Sequence, residues 1–340
     1  MRKIYHVFLN SISILILWSC GSGNENTEKI LNKSFDSLSV SMISAEIRKN
    51  PGNAPLFMKR ANLYSLQNKI DSAINDAVIA TRLDSLNAQY FIGLSEFYIV
   101  AGQSEESKKI LEKYIRINPN NADVLVKLAT LYLYVKDYKK SNELLDKAAL
   151  VDSRNAQIYF IRGMIHKEKK EIQSSIINFQ KATEFNPDYY DAYMMLGLVY
   201  TSEADSLAVQ YYKAAMRIKP EEIQPHYNLG MFFQQYEYVD EAIKEYQYIL
   251  RHLDKSYTYA YFNQGYIYMI YKKEYEKGIS YFDSALAVKP DYVEAVYNKG
   301  FCYEKLNKYD KAREFYNQAK DMVTNYQLAI DGLNRLDKKK

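Results

Sequence analysis

The side chains that most often perform catalysis or bind metals are few in this chain of 340 residues, which has four histidines and two cysteines. None of the histidines (His6, His166, His226 and His252) has a second ligand at the spacing of a metal site. The sequence also lacks the HExxH, CxxC, GxSxG, Walker and dinucleotide-binding motifs. Its Asp and Glu residues are scattered among Lys, as on a solvated helix face. We therefore expect a non-catalytic protein with no metal and no cofactor.

Cys20 stands where a covalent modification is expected. Arg2 and Lys3 precede an apolar stretch at 12–18, which is typical of a secretory signal peptide and is too short for a membrane-spanning helix. The stretch ends in Leu17-Trp18-Ser19-Cys20, which resembles the lipobox of bacterial lipoproteins. The resemblance implies a signal peptide at 1–19 and a lipid on Cys20 as the first residue of the mature chain. The alternative is an uncleaved or buried hydrophobic N-terminus.

The composition adds three expectations. Residues 21–30 are small and polar, which suits a flexible tether at 20–36. Cys302 lies in an apolar helical pattern and is expected to be a small buried hydrophobe, with no intramolecular disulfide. The net charge of +4 comes from 45 basic and 41 acidic residues without long blocks of one sign. This even distribution does not indicate nucleic-acid binding.

From residue 51 onward the chain repeats itself with a period close to 34 residues. A proline or turn residue recurs at Pro51, Ser85, Pro119, Ser153, Pro187, Pro220, Asp254, Pro290 and Thr324. A small residue of the first predicted helix recurs at Ala61, Ser95, Ala129, Gly163, Gly197, Gly230, Gly265 and Gly300. Three residues later an aromatic position holds Tyr64, Tyr98, Tyr132, His166, Tyr200, Phe233, Tyr268 and Tyr303. A small residue of the second predicted helix recurs at Ala73, Ser107, Ser141, Ser175, Ala208, Ala242, Gly278 and Ala312.

These recurring positions resemble the tetratricopeptide repeat, a pair of antiparallel helices that cross closely where the side chains are small. The resemblance implies an all-α fold, a right-handed α-solenoid (superhelix) of about eight helix-turn-helix repeats with flanking helices. We predict the repeats at 54–324, a flanking helix within 37–53, and a capping helix with a basic tail at 325–340. The low content of Gly (12) and Pro (7) agrees with a helical chain.

Some repeats depart from the common pattern. The fifth repeat lacks one residue near 202–206, and the seventh has one extra residue after Asp254 and another near 272–277. Tyr114 and Ile249 are large at a position where the other repeats have Ala. We therefore expect looser or shifted packing around these two residues.

The resemblance also implies a concave groove lined by the first helix of each repeat. The predicted groove residues are Phe160, Met164, Met194, Leu198, Tyr227, Met231, Phe262, Tyr266, Tyr297 and Phe301. The same positions of the first three repeats hold Met58, Asn62, Ile92, Glu96, Val126 and Thr130. The C-terminal half of the groove is thus predicted to be apolar and rich in Met and aromatic residues, which is typical of a partner site. The alternative is that these side chains pack against the adjacent repeat as core.

The function predicted from these features is a non-catalytic scaffold or adaptor, anchored by lipid in the bacterial cell envelope, that binds a partner protein or peptide in the groove. The alternative function is a lipoprotein that binds a small molecule or glycan in a tyrosine-rich groove. The expected location is the outer membrane facing the periplasm, with the inner membrane and the cell surface as alternatives. The sequence alone does not identify the envelope partner.

Overall fold

The computed structural model describes residues 40–338, which are helices joined by short turns with no β-strand among them. The predicted signal peptide, Cys20 and the tether at 20–36 lie outside the described residues. The described chain divides into two compact units, which meet between Val151 and Asp152. We call residues 40–151 unit 1 and residues 152–338 unit 2. No helix of either unit is long and apolar enough to cross a bilayer.

Unit 1 contains a helix at 40–49, here α1, and three helical hairpins. The hairpins are α2 (Ala54–Leu66) with α3 (Ile70–Leu83), α4 (Ala88–Val100) with α5 (Ser104–Ile117), and α6 (Ala122–Tyr134) with α7 (Tyr138–Val151). In every hairpin the first helix has 13 residues and the second has 14. The regular lengths follow directly from the 34-residue period.

Unit 2 contains five hairpins and a final single helix. The hairpins are α8 (Ala156–Glu168) with α9 (Ile172–Phe185), α10 (Tyr190–Ser202) with α11 (Leu207–Ile218), α12 (Ile223–Gln235) with α13 (Val239–Tyr248), α14 (Thr258–Ile270) with α15 (Tyr275–Val288), and α16 (Val293–Lys305) with α17 (Tyr309–Met322). The final helix is α18 (Gln327–Asp337). The predicted flanking helices are thus present as α1 and α18.

A left-handed residue ends the first helix of each hairpin. In the first hairpin, Lys69 N donates to Tyr64 O (2.8 Å) and Asn68 N donates to Ser65 O (2.9 Å), which is the Schellman pattern of helix termination. The left-handed residues are Asn68, Gly102, Lys136, Lys170, Ala204, Glu237, Lys273 and Asn307. Only Gly102 among them lacks the steric cost that a Cβ atom brings in this conformation. Asn68 and Asn307 also adopt this conformation readily, so the hairpin geometry overrides local preference in the other five turns.

The fifth and seventh repeats differ in where the structure accommodates their missing and extra residues. In the fifth hairpin the linker at 203–206 has four residues and α11 has only 12, so the missing residue is lost near the predicted position. The extra residue predicted after Asp254 lies instead before it, because the second helix continues as a π-helical segment (Ile249–Leu253). A π-turn takes up one residue without lengthening the loop. The other extra residue of the seventh repeat lies in the linker at 271–274.

Two opposite arrangements fill the helix crossings. In unit 1 the small residue of the first helix is Ala61, Ser95 or Ala129, and the side chain 16 positions later is Ala77, Leu111 or Leu145, all fully buried. In unit 2 the small residue is always Gly, and an aromatic ring lies against it. The pairs are Gly163–Phe179, Gly197–Tyr212, Gly230–Tyr246, Gly265–Phe282 and Gly300–Tyr316. A Cβ atom on any of these glycines would come within 2.5–2.8 Å of a ring carbon, so only Gly fits.

The packing differs between the two large residues, Tyr114 and Ile249. Tyr114 is 3% exposed, its hydroxyl donates to Leu86 O (2.9 Å), and its ring lies 4.8 Å from that of Phe91. The expectation of looser packing at Tyr114 is therefore wrong, because the phenol fills the space and finds an acceptor. Ile249 is fully buried where the π-helical segment begins, so packing there is shifted, as predicted.

A buried charge pair holds each of the two flanking helices. Arg60 binds both carboxylate oxygens of Asp76 (2.6 and 2.8 Å) and donates to Ser44 Oγ of α1 (2.8 Å). In unit 2, Arg335 of α18 donates to Glu304 Oε2 (2.9 Å), and Tyr316 donates to the same oxygen (2.7 Å). Asp76 and Glu304 are only 5% and 4% exposed. Both carboxylates thus depend on an arginine for compensation.

Candidate functional site

The predicted groove residues all lie in unit 2 and differ in exposure. Eight of them are half-buried side chains on first helices: Phe160, Met164, Leu198, Tyr227, Phe262, Tyr266, Tyr297 and Phe301. Met231 is 41% exposed, whereas Met194 is 7% exposed and belongs to the same core cluster as Leu196. At the equivalent position of unit 1, Val126 is buried as well. Met194 is therefore a core residue, and a partner contact at the other nine stays a prediction.

An aromatic ladder, which the sequence pattern did not single out, runs along the first helices of unit 2. Each of its four rungs joins an aromatic residue in the second turn of one first helix to a tyrosine just before the next first helix. The rungs are Phe160–Tyr189 (5.0 Å between ring centroids), Tyr227–Tyr257 (5.6 Å), Phe262–Tyr292 (4.8 Å) and Tyr297–Tyr326 (5.9 Å). All eight rings are half-buried, so each keeps surface in contact with solvent. Four of the predicted groove residues thus belong to one repeated structure.

The ladder tyrosines occupy positions where Asn caps the first helices nearer the N-terminus. Asn87, Asn121 and Asn155 each accept a hydrogen bond from a backbone N–H of the helix that follows (3.0–3.1 Å). Tyr189, Tyr257, Tyr292 and Tyr326 stand at the same position and form no side-chain cap. Loss of an Asn cap costs about 1 kcal/mol per helix. Because these tyrosines form no side-chain cap, each helix that follows them is less stable than one that begins with a capping Asn.

The centre of the ladder is a cluster of four tyrosines. Tyr259 lies 5.8 Å from Tyr257, 6.3 Å from Tyr227 and 6.1 Å from Tyr292, with steeply inclined rings. Tyr259 is 47% exposed. Rigid rings that are packed on one side and open on the other are typical of the central residues of binding surfaces.

Three asparagines recur beside the ladder at 228, 263 and 298. Asn263 Nδ2 donates to the hydroxyl of Tyr246 (3.2 Å), and Asn228 is hydrogen-bonded to that of Tyr212. The ring at the corresponding place before Asn298 is Phe282, which has no hydroxyl. Asn298 is 7% exposed, and no residue between 40 and 338 forms a hydrogen bond with its side-chain amide. The interval of 35 residues between these asparagines was the signal in the sequence that could have identified them.

The ladder hydroxyls are neutral hydrogen-bonding groups. Burial, with the nearby Glu294 carboxylate, raises the pKa of Tyr326 to about 12. Burial is also the first cause that raises the pKa of Tyr189, Tyr257 and Tyr292. These phenols therefore remain protonated at neutral pH. They donate hydrogen bonds and offer ring faces, which are the elements of a binding surface.

Two histidines of unit 2 lie beside carboxylates, and its cysteine is buried. His226 Nδ1 lies 2.7 Å from Glu245 Oε2, and His166 Nδ1 lies 2.5 Å from Glu171 Oε2. Cys302 is fully buried, as expected, and burial raises the pKa of its thiol to about 12. Residues 40–338 contain no group of three or more His, Cys, Asp or Glu side chains placed to hold a metal ion.

A cavity of about 270 Å³ lies at a different place in unit 2, beside the linker between α10 and α11. It is lined by Ala204, Ser206, Val209, Phe232, Phe233, Tyr236 and Tyr238. The cavity adjoins the linker of the hairpin that is one residue short. None of the predicted groove residues lines it.

Comparison with known proteins identifies the hairpins. Residues 88–121, 156–189 and 269–329 match family models of the tetratricopeptide repeat. The structure is similar to the C-terminal part of a TPR repeat-containing protein from Cytophaga hutchinsonii, with a TM-score of 0.61 and 17% identity over 70% of this chain and 98% of that chain. The all-α tetratricopeptide-repeat fold is thereby confirmed.

Two further proteins are similar to this chain. The structure of a human IFIT1 dimer with PPP-AAAA gives a TM-score of 0.52 at 19% identity, over 85% of this chain and 69% of that chain. The uncharacterized protein ycf37 of Guillardia theta is 32% identical over 114 residues, which are 32% of this chain and 64% of that protein. The chain thus spans a little less than two thirds of that relative. The human structure shares the fold alone.

Proposed function

We propose that this chain of tetratricopeptide repeats is a scaffold that holds an extended segment of a partner protein along the aromatic ladder of unit 2. Tetratricopeptide repeats are protein-binding modules, and the matches place them in both units. The observation that carries the proposal is the exchange of capping Asn for Tyr at 189, 257, 292 and 326. A position that loses a helix cap and gains a half-exposed ring is selected for contact rather than for helix stability.

The geometry suits an extended chain. Successive helices in a packed array lie about 8–10 Å apart. An extended peptide rises about 3.3 Å per residue, so about three residues would span one helix spacing. A wider interval separates Phe160–Tyr189 from Tyr227–Tyr257, because Met194 and Glu222 form no rung. Tyr259 and Met231, which are 47% and 41% exposed, would supply contact area at the centre. The amide of Asn298, which has no hydrogen-bond partner among residues 40–338, would bind the main chain of the segment.

Photo-crosslinking in cells tests this proposal. A photo-reactive amino acid replaces Tyr259 or Phe262 on the ladder, and Tyr309, a 37% exposed tyrosine at the start of α17, serves as the matched control. We expect a protein adduct from both ladder positions and none from Tyr309. Absence of an adduct from the ladder, or the same adduct from all three positions, would contradict the proposal.

We also propose that the chain is attached to the bacterial cell envelope through a lipid on Cys20. The support is the signal-like segment that ends in Leu17-Trp18-Ser19-Cys20. Cys20→Ala should move the protein from the membrane fraction to the soluble fraction, whereas Cys302→Ala, at the buried second cysteine, should leave the distribution unchanged. An unchanged distribution of the Cys20 variant would overturn the lipid anchor.

A further inference from the structure

We infer that the segment held by the ladder is positively charged, with Arg or Lys side chains that lie over the tyrosine rings and beside the carboxylates that accompany them. This inference rests on the proposed function, and it specifies the chemistry of the partner. Three features of unit 2 support it: the placement of carboxylates, the cations already present on neighbouring rings, and the amide of Asn298, which has no hydrogen-bond partner among residues 40–338.

Carboxylates accompany the ladder tyrosines. Asp191 follows Tyr189 by two residues, Asp254 precedes Tyr257 by three, and Glu294 follows Tyr292 by two. In the four turns that hold the ladder tyrosines, at 186–191, 254–259, 289–294 and 323–328, acidic residues outnumber basic ones by five to two. The ladder therefore runs along an edge of negative charge, which favours a partner of the opposite sign.

These carboxylates are incompletely compensated within the chain. No cation between residues 40 and 338 lies within ion-pair distance of Glu222 or Glu294. Burial raises the pKa of Asp191 even though the positive charge of Lys219 opposes the shift. Glu294 acts electrostatically on both Tyr292 and Tyr326, so it lies near two successive rungs. A cation bound between these rungs would lower the energy of the charged carboxylate.

The rings of this edge already accept cations. Lys219 Nζ lies 4.7 Å from the centroid of the Tyr190 ring, and Lys289 Nζ lies 5.2 Å from that of Tyr292. No described cation lies over the rings of Tyr189, Tyr257 or Tyr326. The half-exposed faces of these three tyrosines thus have the geometry for cation–π contacts but lack the cation.

The amide of Asn298 indicates that the occupant is a polypeptide. Asn298 is 7% exposed, and Phe282 offers its amide no hydroxyl of the kind that satisfies Asn228 and Asn263. An amide needs both a donor and an acceptor, and a peptide main chain supplies the two together. A basic segment would thus meet carboxylates through its side chains and Asn298 through its backbone.

The test selects peptides without assuming their charge. Phage-displayed random peptides of 12 residues are selected on the full chain carrying Cys20→Ser, and again on the same chain with Tyr259→Ala. We expect the peptides that depend on Tyr259 to be enriched in Arg and Lys. Peptides that depend on Tyr259 but are acidic or uncharged would overturn the charge inference and support the proposed function. Failure to select any peptide that depends on Tyr259 would overturn the proposed function itself.

Direct binding gives a second readout. Fluorescein-labelled (Gly-Ser-Arg)4 should bind at least tenfold more tightly than (Gly-Ser-Gln)4 in fluorescence polarisation. The double variant Asp191→Asn, Glu294→Gln should weaken (Gly-Ser-Arg)4 about tenfold, and Tyr257→Leu should weaken it by a similar factor. Glu314→Gln, an exposed carboxylate on α17, is the matched control and should have no effect. Equal affinity for the two peptides, or an equal loss with Glu314→Gln, would overturn the inference.

Discussion

Unit 1 and unit 2 share the hairpin plan but fill the crossing of their helices in opposite ways. Unit 1 sets Ala or Ser against Ala or Leu, as in Ala129 and Leu145, whereas unit 2 sets Gly against an aromatic ring, as in Gly230 and Tyr246. The volume removed from one helix is added to the other. In seven of the eight hairpins the sum of the two side-chain volumes is thus kept, and the first hairpin, with Ala61 and Ala77, is the exception.

The aromatic arrangement also connects the core to the first helices of unit 2. Tyr246 is fully buried, yet its hydroxyl donates to Gln234 (3.0 Å) and accepts from Asn263 (3.2 Å). Leu145 at the same place in unit 1 makes no such bond because it has no polar atom. The phenols of unit 2 thus hold polar side chains of two successive first helices, which are the helices that carry the ladder.

The largest expected effect comes from exchanging the two arrangements. Gly230→Ala should lower the free energy of unfolding by about 2–3 kcal/mol, because the new Cβ would lie 2.6 Å from a ring carbon of Tyr246. Ala129→Gly in unit 1 should cost about 1–2 kcal/mol through helix propensity and a lost methyl. Urea unfolding followed by circular dichroism measures both.

A double variant tests whether the two side chains at the crossing compensate for each other in volume. Gly230→Ala combined with Tyr246→Leu copies the arrangement of Ala129 and Leu145, so it should recover at least half of the loss. A double variant as unstable as Gly230→Ala alone would show that the sum of volumes is not what the crossing requires.

Breaking the charge pair at either flanking helix should lower the free energy of unfolding by less than Gly230→Ala does. Arg60→Met in unit 1 leaves Asp76 buried without its partner and should cost about 2 kcal/mol. Arg335→Met in unit 2 should cost about 1–2 kcal/mol, because the Arg335 side chain is 41% exposed against 17% for Arg60, and water compensates part of the charge. Thermal unfolding reports both values. A larger loss for Arg335→Met than for Arg60→Met would contradict this ranking.

Variants at the helix-cap positions are expected to change stability and partner binding in opposite directions. Tyr257→Asn introduces the residue that caps α4, α6 and α8, so it should raise stability by about 1 kcal/mol and abolish the crosslink from Tyr259. Asn121→Tyr should lower stability by about the same amount, because it removes the acceptor for Val124 N. A stable Tyr257→Asn protein that still binds its partner would separate the ladder from function.

The smallest effect is expected at the left-handed turn residues. Ala204→Gly in unit 2 should stabilise the protein by about 0.5–1 kcal/mol, and Gly102→Ala in unit 1 should destabilise it by a similar amount, since both positions have positive φ (59° and 74°). The midpoint of urea unfolding measures the two changes. If the urea midpoint shifted in the same direction in both variants, the steric cost of a Cβ atom at positive φ would not explain the stability of these turns.

The sequence predicted the hairpins but only part of the candidate site. The small residues and the period sufficed for the fold because each hairpin repeats the same local contacts. The burial of Met194 and the rungs from Tyr227 to Tyr257 depend on the next hairpin, 29 or 30 residues away, which a pattern within one repeat does not reveal. The extra residue near Asp254 was misplaced because a π-turn and a longer loop accommodate an insertion equally well.

The short sequence separation of the glycine–ring pairs has a consequence for folding kinetics. Sixteen residues separate Gly230 from Tyr246, so burial of the ring closes only a short loop and loses little chain entropy. Proteins dominated by such local contacts fold within microseconds to milliseconds. Each hairpin of unit 2 is therefore expected to bury its aromatic ring soon after its second helix is synthesised. In a chain with 34 tyrosines, early burial limits the time during which exposed rings can associate with other unfolded chains.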